Sequence, residues 1–329
     1  MKIYKTNGEA KFEIENIESE ESEKIKVKIT HVMPGLTDVN IFSGDITVKY
    51  PFIIGHSAIG VVSDDRPEYG LKRGTKVILN PYTVTDSAES EQEYEVKTRG
   101  VDTDGFMREF IFMDRKKIIP FPEDVNEEEA IFTERIALAL EALNCNTFEK
   151  GDYVVIIGSD TLCNIIGQLA LYFQLIPIMI GNNESDLQIA EKCGIYYTIN
   201  ETKESPIEKV REITCGRMSE NTIISIKADV SSSIAFKMTQ IGGKCVLLCD
   251  NNVVKRADAN IGLISKRNLN VRGVSNGADE FDSAINILAQ KILHLEKFID
   301  KTVEMKDSEV LLRELRENSE RYFNAVIKL

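Results

Sequence analysis

The stretch that most constrains this chain is Gly151-Asp152-Tyr153-Val154-Val155-Ile156-Ile157-Gly158-Ser159-Asp160-Thr161-Leu162-Cys163, with its continuation to Gln174. Val154 to Ile157 are β-favouring and apolar, and they read as a parallel strand buried on both faces. A tight turn opens at Gly158, after which Leu162, Ile165, Ile166, Leu169 and Phe173 recur at helical spacing. Strand, glycine turn and helix make the first half of a βαβ unit, the arrangement in which a helix N-terminus offers its amides to a pyrophosphate. The fingerprint for that use is Gly-x-Gly-x-x-Gly. Here only the first glycine is kept, with Asp160 and Cys163 at the other two places.

Further β-α alternation follows. Strands are expected at 176–180, near 197–199, at 222–226 and at 244–249, and helices at 185–193, 206–213 and 231–240. This predicts an α/β fold with a doubly wound parallel sheet. Upstream, residues 2 to about 63 alternate in short strands such as Lys24-Ile25-Lys26-Val27-Lys28-Ile29. The acidic, polar stretch 83–104 reads as an exposed loop. Glu127 to Leu143 reads as a helix, and two amphipathic helices, 279–297 and 307–317, precede a last strand at 323–327.

Composition excludes several function classes. The net charge of -13 argues against nucleic acid and anionic membrane surfaces as partners. No apolar run reaches the ~18 residues needed to span a bilayer. The start, Met1-Lys2-Ile3-Tyr4-Lys5, lacks a signal's apolar segment, so a cytoplasmic protein is expected. The six cysteines, at 145, 163, 193, 215, 245 and 249, form no CxxC pair, which suggests neither a disulfide framework nor a four-cysteine zinc site. Cys245 and Cys249 read as strand-core residues.

Thr37-Asp38, Gly55-His56, Gly74-Thr75-Lys76-Val77, Asp104-Gly105-Phe106 and Thr133-Glu134 occur in a fixed order ahead of the nucleotide fold. In order and spacing they resemble the medium-chain dehydrogenase/reductase family, the zinc alcohol and polyol dehydrogenases and their relatives. The resemblance implies a Rossmann domain (135–275) inserted in a β-rich, GroES-like catalytic domain (1–134 plus 276–329). It also implies hydride transfer between NAD(P)(H) and a small alcohol or carbonyl substrate, in a homo-oligomer, dimer or tetramer. Transferred to this chain, the catalytic-zinc ligands fall on Gly35, His56 and Glu134, and the glutamate that usually follows the histidine is Ser57. Thr37 takes the place of the hydroxyl that relays the substrate proton, and Asp38 that of the acid orienting the histidine. Asn40 stands where many members have a second relay histidine.

Glycine supplies no side-chain donor, so only His56 and Glu134 remain as metal ligands, fewer than a catalytic zinc normally takes. Neither a catalytic nor a structural zinc is expected. Thr37, Asp38, His56 and Glu134 are the candidate catalytic residues. The bland alternatives stand beside them: a structural histidine at a strand head, a carboxylate favouring a helix dipole, and a turn-forming Thr-Asp pair. Gly158, Ser159, Asp160, Thr161 and Leu162 are the candidate pyrophosphate-binding residues. A carboxylate about 5 Å from a phosphate is repelled by roughly 3 kcal/mol at an effective dielectric near 20, so Asp160 weakens binding unless it swings outward. Gly181, Asn182 and Asn183 follow the second strand where an NAD enzyme would have an acid. Its absence favours NADP(H), although the same residues could form a plain solvated turn. Two functions follow: a zinc-independent NAD(P)(H)-dependent oxidoreductase, or a non-catalytic relative kept as a binding or assembly module.

Overall fold

The computed structural model describes residues 1–18, 23–86, 94–225, 232–248, 260–318 and 324–329. The chain divides into two compact units. The first contains Met1–Glu134, Leu288–Gln290 and Leu295–Leu329, and the second Arg135–Ile287 and Lys291–His294.

The first unit is β-rich. Its strands are β1 (Lys2–Lys5), β2 (Glu13–Asn16), β3 (Ile25–Met33), β4 (Ser57–Val62), β5 (Lys76–Leu79), β6 (Tyr82–Asp86), β7 (Tyr94–Thr98), β8 (Phe110–Met113) and β9 (Ile118–Pro120). The short helix α1 (Leu36–Phe42) lies between β3 and β4, and α2 (Glu127–Ala130) follows β9; the next helix, α3 (Thr133–Asn144), has its first two residues in this unit and the rest in the second. On β3, Ile25, Val27 and Ile29 alternate with more exposed lysines, and the buried set packs with Phe42, Phe52, Ile54, Val77 and Phe106 in one apolar core.

The second unit holds β10 (Tyr153–Ile157), α4 (Thr161–Tyr172), β11 (Ile176–Gly181), α5 (Glu184–Lys192), β12 (Tyr197–Asn200), α6 (Pro206–Ile213), β13 (Ser219–Ser225), α7 (Ser232–Met238), β14 (Thr239–Leu248), α8 (Ile261–Arg267), β15 (Asn270–Val274) and α9 (Phe281–Ala289). Its strands pair in parallel in the order β12-β11-β10-β13-β14-β15. The order reverses between β10 and β13, which makes the carboxyl end of β10 the switch point where such sheets bind ligands. All five residues of β10 are buried, as the unbroken apolar run requires. Two last strands, β16 (Lys301–Glu304) and β17 (Ala325–Lys328), join the first unit's sheet beside β3, with α10 (Ser308–Glu317) between them.

The sequence expectation of a doubly wound parallel sheet beside a β-rich unit agrees with this architecture. Four local expectations are corrected. Much of the supposed loop 83–104 is an antiparallel hairpin, with Tyr82 opposite Thr98 and Val84 opposite Val96. Charged residues between the β-branched ones hid its alternation. The expected helix 127–143 is broken after Ala130, where the Thr133 hydroxyl donates to the Ala130 carbonyl at 2.6 Å. The expected helix 279–297 stops at Ala289, and Lys291 then takes a left-handed backbone, φ 53°. Residues 276–287, expected with the β-rich domain, group with the second unit. There Asn144 Nδ2 donates to Glu280 Oε1 at 2.8 Å. Cys249 lies outside the described residues.

Candidate functional site

In the first unit the site grows out of α1 and the chain entering β4. Asp38, third residue of α1, accepts the Gly35 amide at 2.8 Å, the backbone half of a capping box. The same carboxylate accepts the Gly55 amide at 2.6 Å and lies 2.7 Å from His56 Nδ1. Asp38 is wholly buried and His56 nearly so. With two amides donating to it, the carboxylate is the acceptor at each of these contacts. The His56 proton therefore sits on Nδ1, and Nε2 is the basic ring nitrogen. Thr37 precedes Asp38 on α1 and is buried as well.

Glu134, in the first turn of α3, is buried, and its Oε1 accepts the Tyr82 hydroxyl while Oε2 lies 3.4 Å from Ser57 Oγ. Ser57 directly follows His56, so the Asp38–His56 pair and the Ser57–Glu134–Tyr82 set are adjacent through the backbone. The structure brings Asp38, His56 and Glu134 into one neighbourhood of this unit, together with Tyr82, which sequence reasoning missed. Only the alternation of β6, hidden by its polar surroundings, could have suggested an inward-facing tyrosine there.

This donor set does not make a three-ligand zinc site. Position 35 offers only backbone, both Asp38 oxygens accept N–H groups, and both Glu134 oxygens face hydroxyls. Among the described residues, no group of three or more His, Cys, Asp and Glu side chains is arranged to hold a metal ion.

In the second unit, Gly158 directly follows β10 with φ 125°, a backbone that favours glycine. A methyl group on its α carbon would stand 2.7 Å from Cys163 Sγ, so Cys163 fills the space left by the missing third glycine. Asp160 does not swing outward, which corrects the one way the sequence left for it to spare a phosphate. It is the N-cap of α4, nearly buried, and its Oδ1 accepts the Cys163 amide at 2.9 Å. An internal carboxylate thus already satisfies one of the amides that a pyrophosphate would use. Thr161 and Leu162 form the first turn of α4, and both are buried.

At the end of β11, Ser159 lies against Gly181, and Asn183 caps α5 by accepting the Ser185 amide at 2.9 Å. Asn182 is exposed. Lys203, not singled out from sequence, reaches this edge of the sheet, with Nζ 2.7 Å from Glu184 Oε2. The turn thus keeps the pattern's first glycine at Gly158, at the switch point of the sheet, and departs from the pattern at Asp160.

Comparison with known proteins follows the same lines. Residues 21–123 match the alcohol dehydrogenase GroES-like domain. A zinc-type alcohol dehydrogenase-like protein of Haemophilus influenzae, itself uncharacterized, is 27% identical over 88% of this chain and 87% of its own length. A ribulose-5-phosphate reductase of Bacillus spizizenii is 26% identical over 82% of this chain and 80% of its own. Among solved structures, a candidate zinc-binding dehydrogenase of Sinorhizobium meliloti bound to NADP superposes with a TM-score of 0.85. It covers 100% of this chain and 99% of that one, at 16% identity.

Proposed function

We propose, from the match of residues 21–123 to the alcohol dehydrogenase GroES-like domain and the similarity to a zinc-type alcohol dehydrogenase-like protein, that the chain is a medium-chain dehydrogenase/reductase, an NADP(H)-dependent oxidoreductase acting on a small alcohol or carbonyl without catalytic zinc. The observation that carries this reading is the buried Asp38–His56 pair, which presents a defined histidine tautomer where only two of the usual metal ligands remain.

NADPH, when bound, supplies the hydride. The chain's own part is proton transfer and orientation. In the reducing direction, doubly protonated His56 gives its Nε2 proton to the substrate oxygen, directly or through the Thr37 hydroxyl. In the oxidising direction, neutral Nε2 takes that proton back. Asp38 keeps the ring oriented and stabilises its charged form. Hydrogen-bond donation to the carbonyl oxygen replaces polarisation by a metal. Glu134, Ser57 and Tyr82 form a buried polar set joined to His56 through the backbone at Ser57.

For the cofactor, Gly158, Ser159, Asp160, Thr161 and Leu162 would flank the pyrophosphate, and Gly181, Asn182 and Asn183 the adenosine ribose. The lack of an acid at 181–183 supports a preference for NADP(H). The reductase and polyol dehydrogenase relatives support ketose and polyol substrates. The same reading makes the protein a cytoplasmic homo-oligomer, a dimer or tetramer.

A second reading, a non-catalytic binding or assembly module, is favoured by the capping role of Asp160 at the phosphate position. Titration with NADPH and NADH, followed by cofactor fluorescence, separates the two. Micromolar NADPH binding upholds the enzyme; no binding of either nucleotide up to millimolar concentration leaves the binding module. Elemental analysis of the purified protein is expected to find well under one zinc per chain, and stoichiometric zinc would overturn the metal-free chemistry.

A further inference from the structure

Residues 99–108 are laid on the backbone that ends at His56. Gly105 N donates to the Ile53 carbonyl at 2.6 Å, Met107 N to Ile54 at 3.0 Å and Phe106 N to Gly55 at 2.8 Å. This segment carries two guanidinium groups to one turn. Arg99 Nη1 donates to the Asp104 carbonyl at 2.8 Å, and Arg108 Nε to the adjacent Gly105 carbonyl at 2.9 Å. The Arg99 guanidinium also lies over the Phe106 ring, 5.9 Å from its centroid.

The turn carries the Asp104 carboxylate, whose Oδ1 accepts the Ile53 amide. Burial pushes the Arg108 guanidinium down to about 10 and lowers that of Arg99; Asp104 opposes both shifts, Asp114 also opposes that of Arg99, and Arg99 adds to that of Arg108. Arg108 Nη2 is enclosed and has no hydrogen-bond partner. Two guanidinium groups close enough to repel, one of them with an enclosed and unpartnered nitrogen, are held unfavourably unless an anion lies beside them.

We propose that Arg99 and Arg108 form an anion subsite next to His56, taking the phosphate of a phosphorylated small polyol or of its keto form. Arg99, only partly buried, is the contact residue, and enclosed Arg108 holds positive potential behind it. The substrate class rests on the oxidoreductase reading; the phosphate preference rests on the two arginines.

Calorimetric titration of the full chain with ribulose 5-phosphate and with ribulose tests it without requiring turnover. The phosphorylated sugar is expected to bind at least about tenfold tighter. Arg99→Gln should erase that difference while leaving ribulose binding unchanged. Arg108→Lys, which keeps the charge and loses the fork, should reduce the difference in a protein whose circular dichroism is unaltered. Equal binding of the two sugars, or a preference that survives Arg99→Gln, would overturn the subsite. NADPH-dependent reduction of unphosphorylated sugars with no phosphate preference would likewise remove the subsite and leave the oxidoreductase standing. Phosphate-selective binding through Arg99 with no turnover would keep the subsite and remove the oxidoreductase.

Discussion

At the scale of single residues, Asp160 does two opposed things. Its carboxylate caps α4 through the Cys163 amide and stands where a pyrophosphate would approach. Asparagine at this place keeps the capping oxygen and removes the charge. Asp160→Asn is therefore expected to tighten NADPH binding several-fold with little change in melting temperature. Asp160→Ala, which loses the cap, should cost about 1 kcal/mol of stability. Fluorescence titration and thermal melts of both variants check this; unchanged NADPH affinity in Asp160→Asn would remove the repulsion argument. The sequence displays an acid in the fingerprint but not its direction, because that follows from an extended backbone at Asp160, ψ 176°. Tyr82 was illegible for a related reason. Its hydroxyl meets Glu134 across 52 residues of chain, a separation no local pattern reports.

At the scale of elements, the segment running into β8 is held to the chain before β4 by backbone contact. A methyl group at Gly105 would stand 2.4 Å from the Ile54 carbonyl oxygen and 2.5 Å from that of Gly55. Backbone cannot yield as a flexible side chain would. Gly105→Ala should destabilise the protein by about 1–3 kcal/mol. If the segment shifts as expected, it also displaces His56. A denaturant midpoint and an activity assay read the two effects, and a variant as stable as the parent would mean that the two segments can separate freely. Elements of the parallel sheet were legible because their apolar runs are long and punctuated. The β6–β7 hairpin and the helix ends near residues 131 and 290 were not, since a hairpin rich in polar residues mimics a loop, and a left-handed residue at Lys291 has no sequence signature.

At the scale of the whole molecule, the pH dependence of stability has an identifiable contributor in His31. Burial in β3 lowers its affinity for protons, Lys328 acts in the same direction, and Glu127, Glu128 and Glu304 partly oppose them. A histidine whose folded value lies below its unfolded value near 6.5 binds fewer protons in the native state over that interval. Its contribution is intact above about pH 6.5 and is lost as pH falls through that value toward the folded one. The denaturant midpoint should therefore drop on going from pH 7.5 to 5.5, and His31→Gln should flatten the profile; an unaltered slope in that variant would assign the loss to other groups. By itself, the sequence determined the doubly wound sheet, the β-rich unit and the broken glycine fingerprint. All of these depend on local periodicity, or on motif order that survives divergence. Only the tertiary structure decided that Asp160 caps its helix, that Glu134 is held by Tyr82 and Ser57, and that Arg99 and Arg108 meet at the Asp104-Gly105 turn. Those outcomes depend on side-chain direction and on contacts between distant segments, which become fixed only when the backbone closes on itself.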